Sequence, residues 1–350
     1  MKKQKVLFVT PSFQSFVKQD IQILSKYFDL TINAQNWKEK ERAPFLLIYQ
    51  FLLLLLQVPK VDFVWVHFGG YWSFLPALLG KITGKPVFIV FHGTDCASIP
   101  ELHYGSLRIP LLRWFIKKSY QWATCLLPVS DSLIYSKQEF GPGEKVFNNG
   151  FLHHFQGLKT PYKVIPNGFD QHFWSSEKNT TRDSNSFLSV LSKDQFILKG
   201  GDLILQLAKR LPECSFRIAG MEIPELKEPI PNNLSFLGKL SAKDLREEYR
   251  KASIYLQLSA FEGFGCALCE AMLCGCFPVG SNVNHIPTII GKSGRVITKR
   301  DLSILEKCIN DLFEKDIDDQ TREAIRQSIE ERFNLDVREM LILSTLKSYL

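Results

Sequence analysis

Residues 253–281 read SIYLQLSAFEGFGCALCEAMLCGCFPVGS, with two short apolar runs separated by a segment of helix-forming residues. The first run, SIYLQLS, and the second, CFPVGS, have the length of buried strands. A helix that begins near Gly265 joins them, and two strands joined by a helix pair in parallel. This stretch therefore predicts a parallel sheet that is covered by helices.

The same alternation of apolar runs and helical segments continues along the chain. Strands are predicted at KVLFVT, VDFVWVHF, PVFIVFHG, TCLLPVS and YKVIPNG, and then at FLSVLS, SFRIAG, LSFLG, SIYLQLS, CFPVGS and GRVI. Helices are predicted at 202–211 and around Leu245. At 350 residues the chain is too long for one ordinary core, so we expect two parallel-sheet domains.

The predicted domains are residues 1–169 and 170–333, with the polar stretch SSEKNTTRDSNS after Asp170 as the linker. Residues 334–350 have helical spacing, with Asp336 as the N-cap. The sequence leaves open which domain this last helix joins, and packing back on the N-terminal domain is one expectation. In open parallel sheets ligands bind at the carboxyl ends of the strands, so we expect the site in a cleft between the domains.

Composition and charge narrow the class of protein. The chain is 45% hydrophobic and 23% charged, which is typical of a folded protein. Its net charge of +7 suits an anionic partner, but the lysines are scattered, which disfavours nucleic acid. Eight cysteines without a recognisable signal peptide indicate reduced thiols and a cytoplasmic location.

The segment 261–280 could serve either of two kinds of site. Its thiols, Cys266, Cys269, Cys274 and Cys276, could bind a metal ion, but a helix followed by a strand would point them into different environments, so we expect no metal. Alternatively, its glycines and helix N-terminus could receive a phosphate while Glu262 and Glu270 accept hydrogen bonds from sugar hydroxyls. These residues alone do not separate that role from a solvated loop and an ordinary helix surface.

The two glutamates lie in EGFGCALCEAMLCGCFPV, which resembles the signature of the retaining GT-B glycosyltransferases, particularly glycosyltransferase family 4. Further landmarks are similar to that family and occur in its usual order: FHGTD at 91–95, PVS at 128–130, VIPNGFD at 164–170, KGGD at 199–202, FRIAG and LSFLGKLS. The resemblance implies an α/β protein of GT-B fold, with two Rossmann-like parallel-sheet domains that face each other across a cleft. It implies a retaining glycosyltransferase, without a cofactor, for polysaccharide, glycolipid or other glycoconjugate synthesis.

The resemblance assigns the donor, a nucleotide-diphosphate sugar, to the C-terminal domain. Glu262 would contact the transferred sugar, Lys199 would neutralise the leaving diphosphate, and Glu270 would bind the ribose hydroxyls. The other donor-binding positions are the backbone of Gly263, Phe264 and Gly265, and the turns at Gly220 and Gly238, which would lie against the base.

The N-terminal domain would bind the acceptor, a sugar or lipid-linked sugar, and present His92 to the reacting sugar. The family usually has an arginine before the lysine. This chain reads SVLSKDQFILKGG there, and Lys193 would supply the charge. The first loop, TPSFQSFVKQD, carries Phe13 and Phe16 where the family is commonly glycine-rich.

Other functions remain to be separated from transfer. A dinucleotide oxidoreductase would need GxGxxG after the first strand, and TPSFQS contains no glycine. A nucleotide-sugar epimerase of similar fold and a catalytically inactive nucleotide-sugar-binding protein stay open as alternatives.

Two apolar segments bear on location. Residues 45–58, FLLIYQFLLLLLQV, would form a helix of about 21 Å, short of the ~30 Å hydrocarbon core, so a buried or interfacial helix is favoured over a spanning one. Residues 107–122, LRIPLLRWFIKKSYQW, interleave basic and aromatic residues, which suits either a covering helix of the sheet or an interfacial helix on anionic lipid. We expect a peripheral location at the inner face of the membrane.

Overall fold

The computed structural model describes residues 3–37, 39–176, 182–224, 229–314 and 317–350. The chain divides into two compact units. Unit 1 comprises Met1–Ser136, Asn148–Gly168 and Asp336–Leu350, and unit 2 comprises Lys137–Phe147 and Phe169–Leu335. The end of the chain thus belongs to unit 1, and the segment 137–147 belongs to unit 2 although unit 1 surrounds it in sequence.

The described strands are, in chain order, β1 (Lys5–Thr10), β2 (Asp29–Ala34), β3 (Phe63–His67), β4 (Val87–Phe91), β5 (Cys125–Pro128), β6 (Ser136–Gln138), β7 (Phe147–Asn149), β8 (Asp183–Val190), β9 (Ser215–Ala219), β10 (Leu234–Phe236), β11 (Ala252–Gln257), β12 (Phe277–Ser281) and β13 (Arg295–Ile297). The described α-helices are α1 (Ser15–Tyr27), α2 (Ala43–Gln57), α3 (Tyr71–Thr83), α4 (Pro110–Trp122), α5 (Phe151–His154), α6 (Gly201–Arg210), α7 (Ala242–Lys251), α8 (Cys266–Leu273), α9 (Ile286–Ile290), α10 (Leu302–Phe313), α11 (Asp319–Phe333) and α12 (Leu335–Lys347).

Unit 1 contains a five-stranded sheet in the order β2-β1-β3-β4-β5, and every neighbouring pair is parallel. All residues of β3 and β4 are buried, because helices cover both faces of a parallel sheet. The strands therefore all end at one edge, and the loops that leave β1, β3 and β4 meet there.

Unit 2 contains a six-stranded sheet in the order β10-β9-β8-β11-β12-β13, again parallel throughout. The buried strand β11 lies in the middle beside β8. Chain connections run outward on both sides of this pair, so the order of the strands reverses there. A reversal of this kind opens a crevice at the carboxyl ends of the two central strands.

The strand predictions hold for the sheet interiors and for the edge strand β5, but they miss β2 and place a further strand beyond β5. The sequence analysis missed β2, whose residues are mostly exposed, with Asn33 the one buried position, and form no apolar run. The predicted strand YKVIPNG forms only a single bridge, between Leu126 and Tyr162, followed by backbone hydrogen bonds to β5. Pro161 precedes this segment and Pro166 lies within it, and neither has an N–H to donate to a ladder.

Two terminal features also differ from prediction. Within the proposed linker, residues 177–181 lie outside the described residues, while Asp183–Ser186 form the start of β8. The last helix begins at Leu335, so Asp336 lies in its first turn and is not the N-cap.

Helix α2 is far more exposed than a core helix. Within it only Gln50 and Leu54 are buried, so of the two predicted alternatives, a buried or an interfacial helix, the buried one is wrong. Its exposed apolar side chains are Phe45, Ile48, Tyr49, Phe51, Leu52, Leu55 and Leu56. Among the described residues, Ala43–Lys60 is the one helical segment that meets the length and hydropathy criteria for crossing a membrane, and 17% of it is buried.

Candidate functional site

Unit 2 carries a carboxylate site, formed by Lys199, Glu262 and Glu270, at the carboxyl edge of its sheet. Glu262 lies in the loop after β11, and Glu270 lies on α8, which follows that loop. Lys199 precedes α6, which follows β8. Because β8 and β11 are neighbours and parallel, their outgoing loops meet.

Glu262 accepts three side-chain contacts on a single oxygen. Lys199 Nζ lies 2.5 Å from Glu262 Oε2, and Gln257 Nε2 and Ser259 Oγ donate to the same atom at 2.9 and 3.4 Å. The backbone N–H of Glu262 donates to Asn284 Oδ1 at 3.0 Å, which fixes the loop. Within the described part of the chain Glu262 Oε1 has no hydrogen-bond partner, so it is available to a hydroxyl.

Glu270 is buried, with 9% of the residue exposed. This excludes an ordinary surface position. Its Oε2 accepts a hydrogen bond from the Tyr249 hydroxyl at 3.3 Å. Burial raises the pKa of Glu270 to about 8, and the Tyr249 hydrogen bond only partly opposes this. A buried carboxyl with one long hydrogen bond retains capacity for further donors.

The backbone around the carboxylate site is held close by glycines. Gly265, with φ of 112°, is the N-cap of α8, so the N–H groups at the start of this helix have no side-chain cap. The Phe264 ring is buried and packs 5.4 Å from Phe333 and 5.1 Å from His285. The ring is thus part of the core, and the backbone of Gly263 to Gly265 supplies what a ligand could contact.

The turns after β9 and β10 are joined by backbone hydrogen bonds. Gly220 N–H donates to Gly238 O at 2.8 Å, and both glycines have positive φ, 101° and 66°. A Cβ at Gly220 would lie 2.5 Å from Leu191 O, so a side chain there would collide with backbone. The two turns therefore present backbone to a ligand.

Lys193 is exposed in the short turn Lys193–Gln195 after β8. Across the described residues, no hydrogen bond or ion pair joins it to Lys199, Glu262 or Glu270. Its donor-binding role stays a prediction.

Unit 1 carries a histidine site, formed by His92, His67 and Asp20, at the carboxyl edge of its own sheet. His92 follows β4 and its Nε2 lies 3.1 Å from Nδ1 of His67, the last residue of β3. Phe16 stacks on His92 with 4.2 Å between ring centroids. Burial lowers the pKa of His92 well below its ordinary value, so this imidazole is neutral.

The loops of the histidine site are held by Asp95. Its carboxylate accepts the backbone N–H groups of Gly69, at 2.8 Å, and of His92 and Gly93, both at 3.2 Å. Burial raises the pKa of Asp95 to about 6 against the lowering effect of these N–H donors. Phe68 has a positive φ of 64°, an uncommon conformation for a bulky residue and a mark of functional sites.

A cavity of about 250 Å³ opens at the same edge of unit 1. Its lining is aromatic and polar: Pro11, Ser12, Gln14, Trp37, Phe68, Gly69, Trp72, Thr94 and Ser106. Trp37 and Trp72 lie 6.1 Å apart, and the buried Trp37 Nε1 has no hydrogen-bond partner among the described residues. Aromatic faces with an unsatisfied N–H suit a ligand that has both apolar and polar faces, such as a sugar.

Three of the four cysteines of 261–280 behave as core residues, and Cys266 is partly exposed. Cys269, Cys274 and Cys276 are buried, and burial raises the pKa of all three thiols. Cys276 Sγ–H donates to Tyr249 O at 3.0 Å. Over the described ranges, no group of three or more His, Cys, Asp or Glu side chains is placed to hold a metal ion.

Sequence reasoning missed several residues of these sites. Gln257 and Ser259, at alternate positions of an apolar strand run, are nearly or fully buried, and polar residues in such a run are a signal that could have found them. Asp20 and His67 lie within apolar-patterned segments that the motif does not include. Asn284 lies in the loop after β12, and the sequence pattern does not mark it.

Sequence comparison shows which known proteins this chain is similar to. Residues 172–332 match the family model described as glycosyl transferases group 1. The chain is 24% identical over 291 residues to N-acetyl-alpha-D-glucosaminyl L-malate synthase of Bacillus anthracis, which covers 79% of this chain and 72% of that protein. It is 24% identical over 255 residues to GDP-mannose:cellobiosyl-diphosphopolyprenol alpha-mannosyltransferase of Xanthomonas oryzae pv. oryzae, covering 70% of this chain and 62% of that protein.

Solved structures are similar over almost the whole chain. Sucrose-phosphate synthase of Thermosynechococcus elongatus has a TM-score of 0.75 at 11% identity, covering 99% of both chains. Anabaena HepE in complex with UDP and glucose has a TM-score of 0.71 at 16% identity, covering 99% of this chain and 100% of that one. The predicted fold class, GT-B with two Rossmann-like parallel-sheet domains, is thereby confirmed.

Proposed function

We propose that this chain, whose residues 172–332 match the family model of the group 1 glycosyl transferases, moves a sugar from a nucleotide-diphosphate sugar to an acceptor hydroxyl with retention of configuration. The observation that carries the proposal is the ion pair of Lys199 with Glu262 at the carboxyl edge of the unit 2 sheet. A cation and a carboxylate with one free oxygen, beside an uncapped helix N-terminus, suit a diphosphate attached to a sugar.

In this proposal Lys199 exchanges partners during the reaction. Without donor its ammonium is held by Glu262 Oε2 at 2.5 Å. A diphosphate would compete for the ammonium, and its negative charge grows as the bond to the sugar breaks. Stabilisation of that growing charge lowers the barrier more than it strengthens binding. Glu262 Oε1 accepts a hydrogen bond from a hydroxyl of the transferred sugar.

Glu270 would bind the ribose of the donor. Its burial and its single 3.3 Å hydrogen bond from Tyr249 leave acceptor capacity that vicinal hydroxyls can fill. The turns at Gly220 and Gly238 would lie against the base, where close backbone approach is possible. Lys193, on its exposed turn, would approach the diphosphate in place of the family's arginine.

Retention follows from attack on the face that the leaving group occupies. The bond between the anomeric carbon and the diphosphate oxygen breaks, the acceptor oxygen bonds to that carbon, and the acceptor proton passes to the departing diphosphate. A separate carboxylate base is not required, so none of the described carboxylates is assigned this role.

The acceptor side is proposed for unit 1. The cavity with Trp37 and Trp72 has the lining that sugar rings favour, and His92 stands at the same sheet edge. The name of the Xanthomonas relative includes a diphosphopolyprenol acceptor, so a lipid-linked sugar is the acceptor class we propose.

A lipid-linked acceptor suits the surface of unit 1. Helix α2 exposes seven large apolar side chains, and α2 and α4 both pack against α3. The segment that leads into α4, and α4 itself, add exposed basic residues to this surface, Arg108, Arg113 and Lys117. We propose that this surface contacts the anionic cytoplasmic leaflet, where each basic residue contributes about 1 kcal/mol.

The enzymatic proposal is tested with a panel of nucleoside diphosphates and their sugars. One member should raise the melting temperature saturably, since a ligand of the native state stabilises it by mass action. The enzyme should then release nucleoside diphosphate from that donor, and the sugar first released should keep the donor's anomeric configuration. An altered sugar still bound to nucleotide would identify an epimerase, and binding without release would identify an inactive binding protein.

The membrane proposal is tested by cosedimentation with anionic and neutral vesicles over a salt series. The wild-type chain should bind anionic vesicles at low salt and leave them as salt rises. The variant Leu52→Glu with Leu56→Glu should lose binding. Ile223→Glu changes an apolar side chain of similar exposure, 66%, in unit 2 and should bind like wild type. Absence of wild-type binding at low salt contradicts the proposal.

A further inference from the structure

Four side chains of unit 1 form a buried chain of polar contacts that ends at His92. Arg338 Nε and Nη2 contact the two oxygens of Asp20 at 2.6 and 2.7 Å. Asp20 Oδ2 lies 3.0 Å from His67 Nε2, and His67 Nδ1 lies 3.1 Å from His92 Nε2. Asp20, His67 and Arg338 are each no more than 1% exposed, so water does not interrupt the chain.

The position of each proton follows from the Arg338 end of this chain. A carboxylate bound through both oxygens by a guanidinium is ionised and accepts hydrogen bonds only. Burial alone would raise the pKa of Asp20, but Arg338 and His67 outweigh it and hold this pKa below its ordinary value. His67 Nε2 must therefore carry a proton, because a lone pair facing the carboxylate at 3.0 Å would be repelled.

The positions of the protons on His67 and His92 follow from this assignment. Arg338 contacts both oxygens of Asp20 and already balances its charge, and burial lowers the pKa of His67, so His67 is neutral and its Nδ1 carries a lone pair. His92 Nε2 then donates to that lone pair. A neutral His92 with its proton on Nε2 has a lone pair on Nδ1, and this buried atom has no hydrogen-bond partner in the described structure.

A competing arrangement would reverse both histidines. Trp65 Nε1 lies 3.3 Å from His67 Nε2 and could donate to that nitrogen if it were a lone pair. His67 Nδ1 would then donate to His92, and His92 Nδ1 would become a donor. This reversed arrangement would replace a 3.0 Å hydrogen bond to an ionised carboxylate with a 3.3 Å hydrogen bond from a neutral indole. Charge-assisted hydrogen bonds are the stronger class, so the first arrangement is favoured.

We propose that Asp20 and Arg338, acting through His67, hold His92 in the Nε2–H tautomer, so that His92 offers the substrate a hydrogen-bond acceptor at Nδ1. Asp20, His67 and Arg338 are positioning residues. Recognition of a substrate hydroxyl by Nδ1 rests on the proposed glycosyl transfer, whereas the tautomer is a property of the chain without substrate.

The surroundings of His92 hold it in place. The other groups around it are the rings of Phe16 and Phe68, at 4.2 and 4.7 Å, and the Asp95 carboxylate, which accepts its backbone N–H. The aromatic rings offer no competing hydrogen bond to the imidazole. Among the described residues, the hydrogen bond that selects the tautomer of the His92 ring is the one with His67 Nδ1.

The first test is the tautomeric state in solution, read from imidazole ¹⁵N and ¹H shifts of the full chain labelled at histidine. The His92→Asn and His67→Asn spectra assign the two residues. Both should be neutral with the proton on Nε2. A proton on Nδ1 of either residue, or a cationic His92 at neutral pH, overturns the proposal whether or not the chain shows transferase activity.

The second test is Asp20→Asn, whose amide can donate to His67 Nε2. His67 should then carry its proton on Nδ1, and His92 should change to Nδ1–H. With the donor that the nucleotide panel identifies, kcat/KM should fall about tenfold or more, because a donor replaces an acceptor at the substrate. Retained Nε2–H tautomers in a folded Asp20→Asn variant contradict the proposal. If the variant does not fold, the wild-type tautomers decide.

The matched control is Glu339→Gln. Glu339 follows Arg338 on α12 and also joins this helix to α1, through Lys26 at 2.5 Å and Tyr27 at 2.5 Å, at the surface and away from the histidines. It should leave both tautomers and kcat/KM unchanged. If Glu339→Gln alters the tautomers as Asp20→Asn does, docking of α12 rather than the Asp20 contact is responsible, and the proposal fails.

Discussion

The carboxylate site of unit 2 and the histidine site of unit 1 occupy equivalent edges of two parallel sheets but pair their polar groups differently. Among the described residues, Glu262 has one oxygen without a partner, and the buried Glu270 side chain has one hydrogen bond, of 3.3 Å. In the histidine site, by contrast, every contact from Arg338 to His92 is made, and His92 Nδ1 has no hydrogen-bond partner in the described part of the chain. The first arrangement leaves polar groups that a ligand can pair with, and the second sets the direction of one hydrogen bond.

The largest effect that this comparison predicts is on turnover at the carboxylate site. Lys199→Ala should lower kcat by about 100-fold to 1,000-fold, the cost of removing one group that stabilises a developing anion. KM should change much less, because the charge on the diphosphate peaks in the transition state. Steady-state kinetics of nucleoside diphosphate release measure both.

The control for this prediction is Lys307→Ala, which removes an exposed lysine of α10 and should leave kcat unchanged. If Lys199→Ala raises KM and leaves kcat intact, Lys199 anchors the ground state instead. The carboxylate site would then bind the donor without stabilising the charge that develops in the transition state, and the proposed difference between the two sites would not hold.

The next effect concerns the affinity for donor. Glu270→Ala should weaken nucleotide binding by about 1–3 kcal/mol, the cost of leaving buried hydroxyls of the donor without a hydrogen-bond partner. Tyr249→Phe removes only the 3.3 Å hydrogen bond to Glu270 and should weaken binding far less. Calorimetric titration of folded variants measures both, and equal affinities of Glu270→Ala and wild type would remove Glu270 from the donor site.

A smaller effect is expected in the pH dependence of stability. The pKa of Glu270 is raised to about 8 from an ordinary value of 4.5, so the folded state holds a proton that the unfolded state releases. The stability due to this proton is fully present below about pH 4.5 and is lost as the pH rises through about 8. Glu270→Gln should therefore flatten the fall in melting temperature between these values. A fall as steep as that of wild type would show that Glu270 is ionised in the folded chain.

No effect at all is expected from metal removal. Burial raises the pKa of Cys269, Cys274 and Cys276, so these thiols stay protonated and bind metal poorly. A chelator should leave the melting temperature unchanged, and elemental analysis should find no stoichiometric zinc. A lowered melting temperature would revive the cysteine interpretation of residues 261–280.

Local sequence patterns are enough to predict the sheet interiors and the family motif. Runs such as VDFVWVHF and SIYLQLS predict buried strands because a parallel strand that is covered on both faces has to be apolar along its length. The spacing of Glu262 and Glu270 placed one glutamate in the loop and the other within the following helix, as the structure has them. These features are local, so neighbouring residues are enough to specify them.

Other features depend on contacts between residues that are far apart in sequence, which local patterns do not contain. Strand β2 buries one residue, Asn33, and becomes a strand by pairing with β1. The segment 137–147 joins unit 2 although the residues on both sides of it belong to unit 1. Arg338 and Asp20 are separated by 318 positions, and only the folded chain brings them into contact. The tautomer proposed for His92 depends on that contact, because a proton's position is set by its neighbours in space.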